Sequence, residues 1–95
     1  MLGYFVLKAR KDMKFISKNG VFYYKKDNVY IGRTDKYKLL IYDERDNACK
    51  FGYYQTCFKF RMASHFGQFF YIIEKNKAIN GRDFYKIRKQ LREGN

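Results

Sequence analysis

The alternation of apolar and polar side chains is sharpest between Lys50 and Met62, in KFGYYQTCFKFRM. At the two-residue period of a strand, Tyr54, Thr56, Phe58, Phe60 and Met62 share one face, and Phe51, Tyr53, Gln55, Cys57, Lys59 and Arg61 share the other. The first face reads as core. The second mixes rings with cations, as a sheet surface that stacks bases and holds phosphates requires. A strand is therefore predicted over 49–61, at the centre of the fold.

The apolar run LGYFVLK predicts a buried strand over 2–8. The next segment carries two patterns. Ala9, Met13 and Ile16 stand at helical spacing with Asn19-Gly20 as a C-cap, but Asn19-Gly20 is also a strong hairpin signal, here between KFIS and VFYYK. A hairpin of strands 14–18 and 21–26 is favoured, because Phe15, Ile16, Val21, Phe22, Tyr23 and Tyr24 all suit a pleated surface. With Asn19 and Gly20 as the two turn residues, Lys18 faces Val21, Ile16 faces Tyr23 and Lys14 faces Lys25. Opposed like charges are unfavourable, and an anion would relieve them, which makes Lys14 and Lys25 candidate contacts.

Turn residues at Lys26-Asp27-Asn28 and Thr34-Asp35-Lys36 set off strands at 29–33 and 37–43, the second apolar on both faces. Gly32 is read as a place where an aromatic ring lies over the backbone. DERDN at 43–47 is the most acidic stretch and a loop, expected to turn away from any polyanion. MASHFG at 62–67 predicts a bend, QFFYIIEK at 68–75 a strand, and Asn76-Lys77 its exit turn. A helix is predicted over 81–93. Asn80 caps it, Asp83 sits near its positive end, and Phe84, Ile87 and Leu91 make a narrow apolar stripe. Arg82, Lys86 and Lys89 fall on the opposite surface, flanked by Tyr85, Arg88 and Arg92.

Successive strands with short turns and one terminal helix define an α+β fold in a single domain, 1–95. It is a small curved antiparallel β-meander or a partly open barrel, with one C-terminal α-helix packed on it. Unless such a sheet closes, one face is left to water.

Composition adds the partner class. Of 95 residues, 46% are hydrophobic and 21% aromatic, enough apolar surface to fold without a cofactor. Twenty-one Lys and Arg against nine Asp and Glu give a formal net charge of +12, a field that draws polyanions. Phe, Tyr, Ile, Asn and Lys make up about half of the chain. Their codons are A/T-rich, which suggests an A/T-rich genome such as that of a virus or phage, and part of the lysine excess is then mutational bias. The opening MLGYFVLKARK has too short an apolar run, with cations after it rather than before it, for a secretion signal. No run approaches the ~20 apolar residues of a membrane span. Two cysteines, Cys49 and Cys57, do not make a disulfide framework, so reduced thiols and a cytoplasmic setting are expected.

KFGYY, Lys50 to Tyr54, resembles the aromatic strand of RNA-recognition sheets, where a basic residue and a glycine precede stacking rings. The likeness covers those residues alone, and the helix that follows the first strand of such modules has no clear counterpart. Catalytic chemistry finds little support. Cys49, Cys57 and His65 lack a fourth ligand and a close Cys pair for zinc. Ser64 and His65 lack a glycine-framed nucleophile turn, and the isolated glycines form no phosphate loop. No enzyme, metal or cofactor is expected. The expected function is non-enzymatic binding of RNA or single-stranded DNA by phosphate contact and stacking. The candidate residues are Lys14, Lys25, Phe51, Tyr53, Lys59, Arg61, Arg82, Tyr85, Lys86, Arg88, Lys89 and Arg92. The alternative is a protein-interaction module, such as a small viral or phage inhibitor attached to an acidic surface of a host enzyme or nucleoprotein complex, since aromatic and arginine anchors also typify interface hot spots. The chain is expected to be a monomer, or a homodimer through an exposed strand edge.

Overall fold

The computed structural model describes residues 3–35, 38–53, 68–75 and 80–94. Among the described residues, seven strands precede one helix: β1 (Tyr4–Ala9), β2 (Met13–Ser17), β3 (Gly20–Tyr24), β4 (Val29–Asp35), β5 (Lys38–Tyr42), β6 (Ala48–Tyr53), β7 (Phe70–Lys75) and α1 (Gly81–Gly94). Five of the strands form an antiparallel sheet in the order β6-β5-β4-β1-β7, and β2 and β3 pair with each other in a separate hairpin. The fold is α+β, with the sheet open rather than closed into a barrel.

β1 explains the layering. Phe5, Leu7 and Ala9 point to one side and Tyr4 and Val6 to the other, and all five are buried. The hairpin covers the first side with Met13, Phe22 and Tyr24, joined at its margin by Phe15. The helix covers the second side, where Phe84 packs among Tyr4, Val6, Ile31 and Tyr42, with Ile87 and Leu91 beside it. The expected water-facing sheet surface is therefore reduced: the hairpin leaves the sheet between β1 and β4 and lies across one face, while α1 covers part of the other and leaves Tyr71 and Ile73 of β7 exposed.

Two corrections follow for the sequence expectations. First, β6 is an edge strand and not the centre, which β4 and β1 occupy. Its Cys49 is buried, and Phe51 turns inward to pack edge-on against Phe15, Tyr24 and Phe70 at 5.2–6.1 Å between ring centroids. Phe51 is thus part of the core and not a stacking platform. The cause is the hairpin, whose Phe15 seals over this face. Residues 54–67, including Lys59, Arg61, Cys57 and His65, lie outside the described residues, as do 36–37 and 76–79, and of Tyr53 only the backbone is described.

Second, the hairpin forms, but its register is shifted by two, with the two-residue turn moved one residue earlier. Ser17 pairs with Gly20, Phe15 with Phe22 and Lys14 with Tyr23, so Lys14 and Lys25 are not opposed. Lys18 and Asn19 make the turn, Ser17 Oγ accepts from the Asn19 N–H at 3.1 Å, and Gly20 takes φ +133°, a conformation costly for any residue with a Cβ. A shift of two leaves every side chain on its original face, so the alternation pattern was equally compatible with both registers.

Gly32 sits where β1 and β5 approach β4, opposite Phe5 and Ile41. A Cβ there would meet Leu7 Cδ1 at 3.1 Å, the Leu40 carbonyl oxygen at 3.3 Å and Ile41 Cγ1 at 3.4 Å. Aliphatic side chains, not an aromatic ring, exploit the missing Cβ. The carbonyl belongs to the sheet ladder and has little freedom to retreat. Gly32→Ala is expected to cost about 1–2 kcal/mol in a urea unfolding titration, and an unchanged midpoint would contradict this packing.

Candidate nucleic-acid interface

The helix begins as its sequence dictates. The Asn80 side-chain oxygen accepts from the Asp83 N–H at 2.9 Å, and the Asn80 carbonyl accepts from the Phe84 N–H at 3.1 Å. Phe84 is fully buried and meets the Tyr4 ring edge-on at 6.3 Å and the Tyr42 ring at 5.7 Å, a burial that stabilises by roughly 2–3 kcal/mol. Fixing that stripe inward decides everything else on the helix. Arg82, Lys86 and Lys89, at i, i+4 and i+7, face solvent, and Tyr85 beside them is 54% exposed.

The other two helix arginines have a different use. Arg88 Nε lies 2.9 Å from Asp46 Oδ1, and Arg92 lies 3.2 Å from Asp46 Oδ2. Arg88 also sits over the Tyr42 ring at 4.3 Å, and Tyr42 accepts from Arg33 Nε at 2.9 Å through its hydroxyl oxygen. Among the described residues, Arg82, Lys86 and Lys89 have no carboxylate partner, whereas Arg88 and Arg92 tie α1 to the β5–β6 loop. Asp46→Asn is expected to weaken folding by no more than ~1 kcal/mol. It should also tighten binding of a single-stranded oligonucleotide about three- to tenfold, since it removes one negative charge and frees two cations. Anisotropy titrations of the two proteins side by side provide the check; weaker binding by the variant would contradict it.

The β5–β6 loop is the largest departure from expectation. Its acidic residues are consumed internally. Asp43 is buried, and its carboxylate accepts three backbone N–H groups, from Tyr23, Arg45 and Asn47, each at 2.9 Å. Glu44 accepts from the Asn28 side chain at 2.8 Å and from the Tyr30 hydroxyl, while its own N–H donates to the Tyr23 carbonyl at 2.9 Å. Asp46 holds the helix arginines. Of the charged residues in the loop, Arg45 is the exposed one, with its guanidinium 4.5 Å over the Tyr23 ring, and Lys14 approaches the same ring at 5.9 Å. A loop expected to avoid polyanions thus contributes to a basic surface. The spacing Asp43, Arg45, Asn47, a carboxylate followed by N–H donors two and four residues on, is the local sequence signal for that inward turn.

Further cations sit on rings elsewhere, Arg10 over Tyr71 at 4.9 Å and Lys11 over Phe69 at 5.1 Å. Lys25 is exposed at the end of β3. Inside the core, burial holds the Tyr24 and Tyr30 hydroxyls well above the usual tyrosine range, and Tyr24 donates to the Ile41 carbonyl at 2.8 Å. Burial likewise pushes the Cys49 thiol up to about 11, so at neutral pH it is protonated and a weak nucleophile. Among the described residues, no three His, Cys, Asp or Glu side chains gather as a metal site, and no helix is long and apolar enough to cross a membrane. A scan against protein-family models found no match, and searches of curated proteins and of solved structures found none either.

Proposed function

We propose that this chain is a small, non-enzymatic, cytoplasmic nucleic-acid-binding protein that holds RNA or single-stranded DNA through the outer face of α1. One observation carries the reading: Arg82, Lys86 and Lys89 are exposed along one side of a rigidly docked helix, next to a half-exposed Tyr85, and are without carboxylate partners among the described residues. Cations in a row suit a phosphate backbone, and the tyrosine offers a stacking surface that any unpaired base can use, worth ~1–3 kcal/mol. The net charge of +12 supplies long-range attraction. Single strands are preferred over duplex because a stacking ring finds no accessible base face in a paired helix.

Competition between fluorescent single-stranded RNA, single-stranded DNA and a duplex of equal length tests this, with the single strands expected to bind tighter. A pulldown with and without nuclease separates it from attachment to an acidic protein. A protein partner retained at fixed stoichiometry after nuclease, together with no oligonucleotide binding, would replace it.

A further inference from the structure

Resting on that reading, we propose that the hairpin carries a second nucleic-acid surface, so that one monomer holds two strands at once and bridges them. The outer side of β2–β3 presents Lys14 and Ile16 from one strand and Val21 and Tyr23 from the other, with Lys18 in the turn. Ile16 is 75% exposed. Arg45 reaches in from the β5–β6 loop to lie over Tyr23.

Three features mark this side as a polyanion surface. Lys14, Lys18 and Arg45 are exposed and have no carboxylate partner among the described residues. The carboxylates of the β5–β6 loop are occupied, Asp43 by backbone N–H groups, Glu44 by Tyr30 and Asn28, Asp46 by the helix arginines, and the exposed Asp12 just before β2 accepts from the Lys26 N–H at 2.8 Å. Arg45 resting on Tyr23 is a pre-ordered guanidinium plane, a group on which unpaired bases stack, and Ile16 adds apolar area beside it. An acidic protein would be served by the cations alone, whereas a guanidinium 4.5 Å over a ring also extends an aromatic surface for a base.

The placement makes the two surfaces independent. The hairpin lies on one face of the five-stranded sheet and α1 on the other. With layers spaced by ~10 Å, the outer side of the hairpin and that of α1 stand roughly 20 Å apart, more than two Debye lengths at physiological salt, with Arg45 the nearest member to the helix through its neighbour Asp46. A strand on one face therefore repels a strand on the other only weakly, and oligonucleotides too short to pass round the edge of the sheet, as used below, occupy one face each.

A biotinylated oligothymidylate on beads is loaded with protein, then offered a fluorescent oligothymidylate. Capture of the fluorescent strand is expected, rising and then falling as free protein exceeds the strands, as bivalent bridging requires. The variant Lys14→Gln, Lys18→Gln, Arg45→Gln should still load through α1 but capture roughly tenfold less. Asp43 accepts from the Arg45 backbone N–H, so the loop anchor survives that substitution. The charge-preserving pair Lys14→Arg and Lys18→Arg, with Arg45 kept, should retain capture. Loading without capture by the unaltered protein overturns bridging and leaves the α1 reading standing. Capture undiminished in the glutamine variant, as a protein dimer joined away from the hairpin would give, also overturns it. Failure to load at all overturns both.

Discussion

Asp43→Ala is expected to destabilise the protein by about 3 kcal/mol, the largest effect of any polar substitution in the described structure. The carboxylate satisfies three N–H groups in a site where water has little access, and a buried donor left without an acceptor costs ~1–3 kcal/mol. The bond to Tyr23 crosses from the sheet layer to the hairpin, where it acts with the Glu44 N–H to Tyr23 carbonyl bond and the Tyr24 hydroxyl to Ile41 carbonyl bond. Asp43→Asn should cost less, about 1–2 kcal/mol, because an amide oxygen at the Oδ1 position still serves Arg45 and Asn47 while its NH₂ opposes the Tyr23 N–H. Urea unfolding of the three proteins measures this order. An alanine variant within ~0.5 kcal/mol of the parent would show that the hairpin is held by apolar packing alone.

The second large effect concerns binding. Replacing Arg82, Lys86 and Lys89 together by glutamine should weaken single-strand affinity roughly 30- to 100-fold near 0.1 M salt, about 2–3 kcal/mol, and flatten the salt dependence by about 2 in slope, since each phosphate contact on a single strand contributes ~0.7. Stability should stay within ~0.5 kcal/mol, because all three side chains face water. Affinity that falls without a change in slope would mean that these residues act by something other than phosphate contact. Tyr85→Ala, in contrast, should lower affinity with the slope intact.

Much of this architecture is written locally in the chain. Asn80 and Asp83 place the start of α1, the Phe84, Ile87 and Leu91 stripe sets which side of it docks, and the alternating apolar residues place the strands within two or three residues where both ends are described. What could not be read is where each strand goes. A strand whose inner face is Met13, Phe15, Phe22 or Tyr24 looks the same whether it joins a sheet edge or lies across a sheet face, and that choice removed the wet surface expected around Phe51. Cys49 and Phe51 turn inward because the hairpin is there to receive them, a contact made across more than 30 residues of chain. The exposed cationic side of α1 was legible because it depends on the helix alone: Arg82, Lys86, Lys89 and Tyr85 stand together as their spacing implies. Arg88 and Arg92 have the same residue type but a non-local fate, because Asp46 sits over them. Arg45 was hidden by its acidic neighbours: Asp43 is turned inward in part by the local Arg45 and Asn47 N–H groups, but Glu44 and Asp46 find their partners far along the chain, at Asn28, Tyr30, Arg88 and Arg92.

The central claim is that exposed cations on α1 grip a phosphate backbone. Its most direct test is the affinity of the unaltered protein for a fluorescent single-stranded oligonucleotide, measured by anisotropy across a series of salt concentrations. The expected result is saturable binding whose log K falls linearly with log salt, with a slope of −2 or steeper from the three helix cations. Binding that fails to saturate at low salt, or that is indifferent to salt, would contradict it.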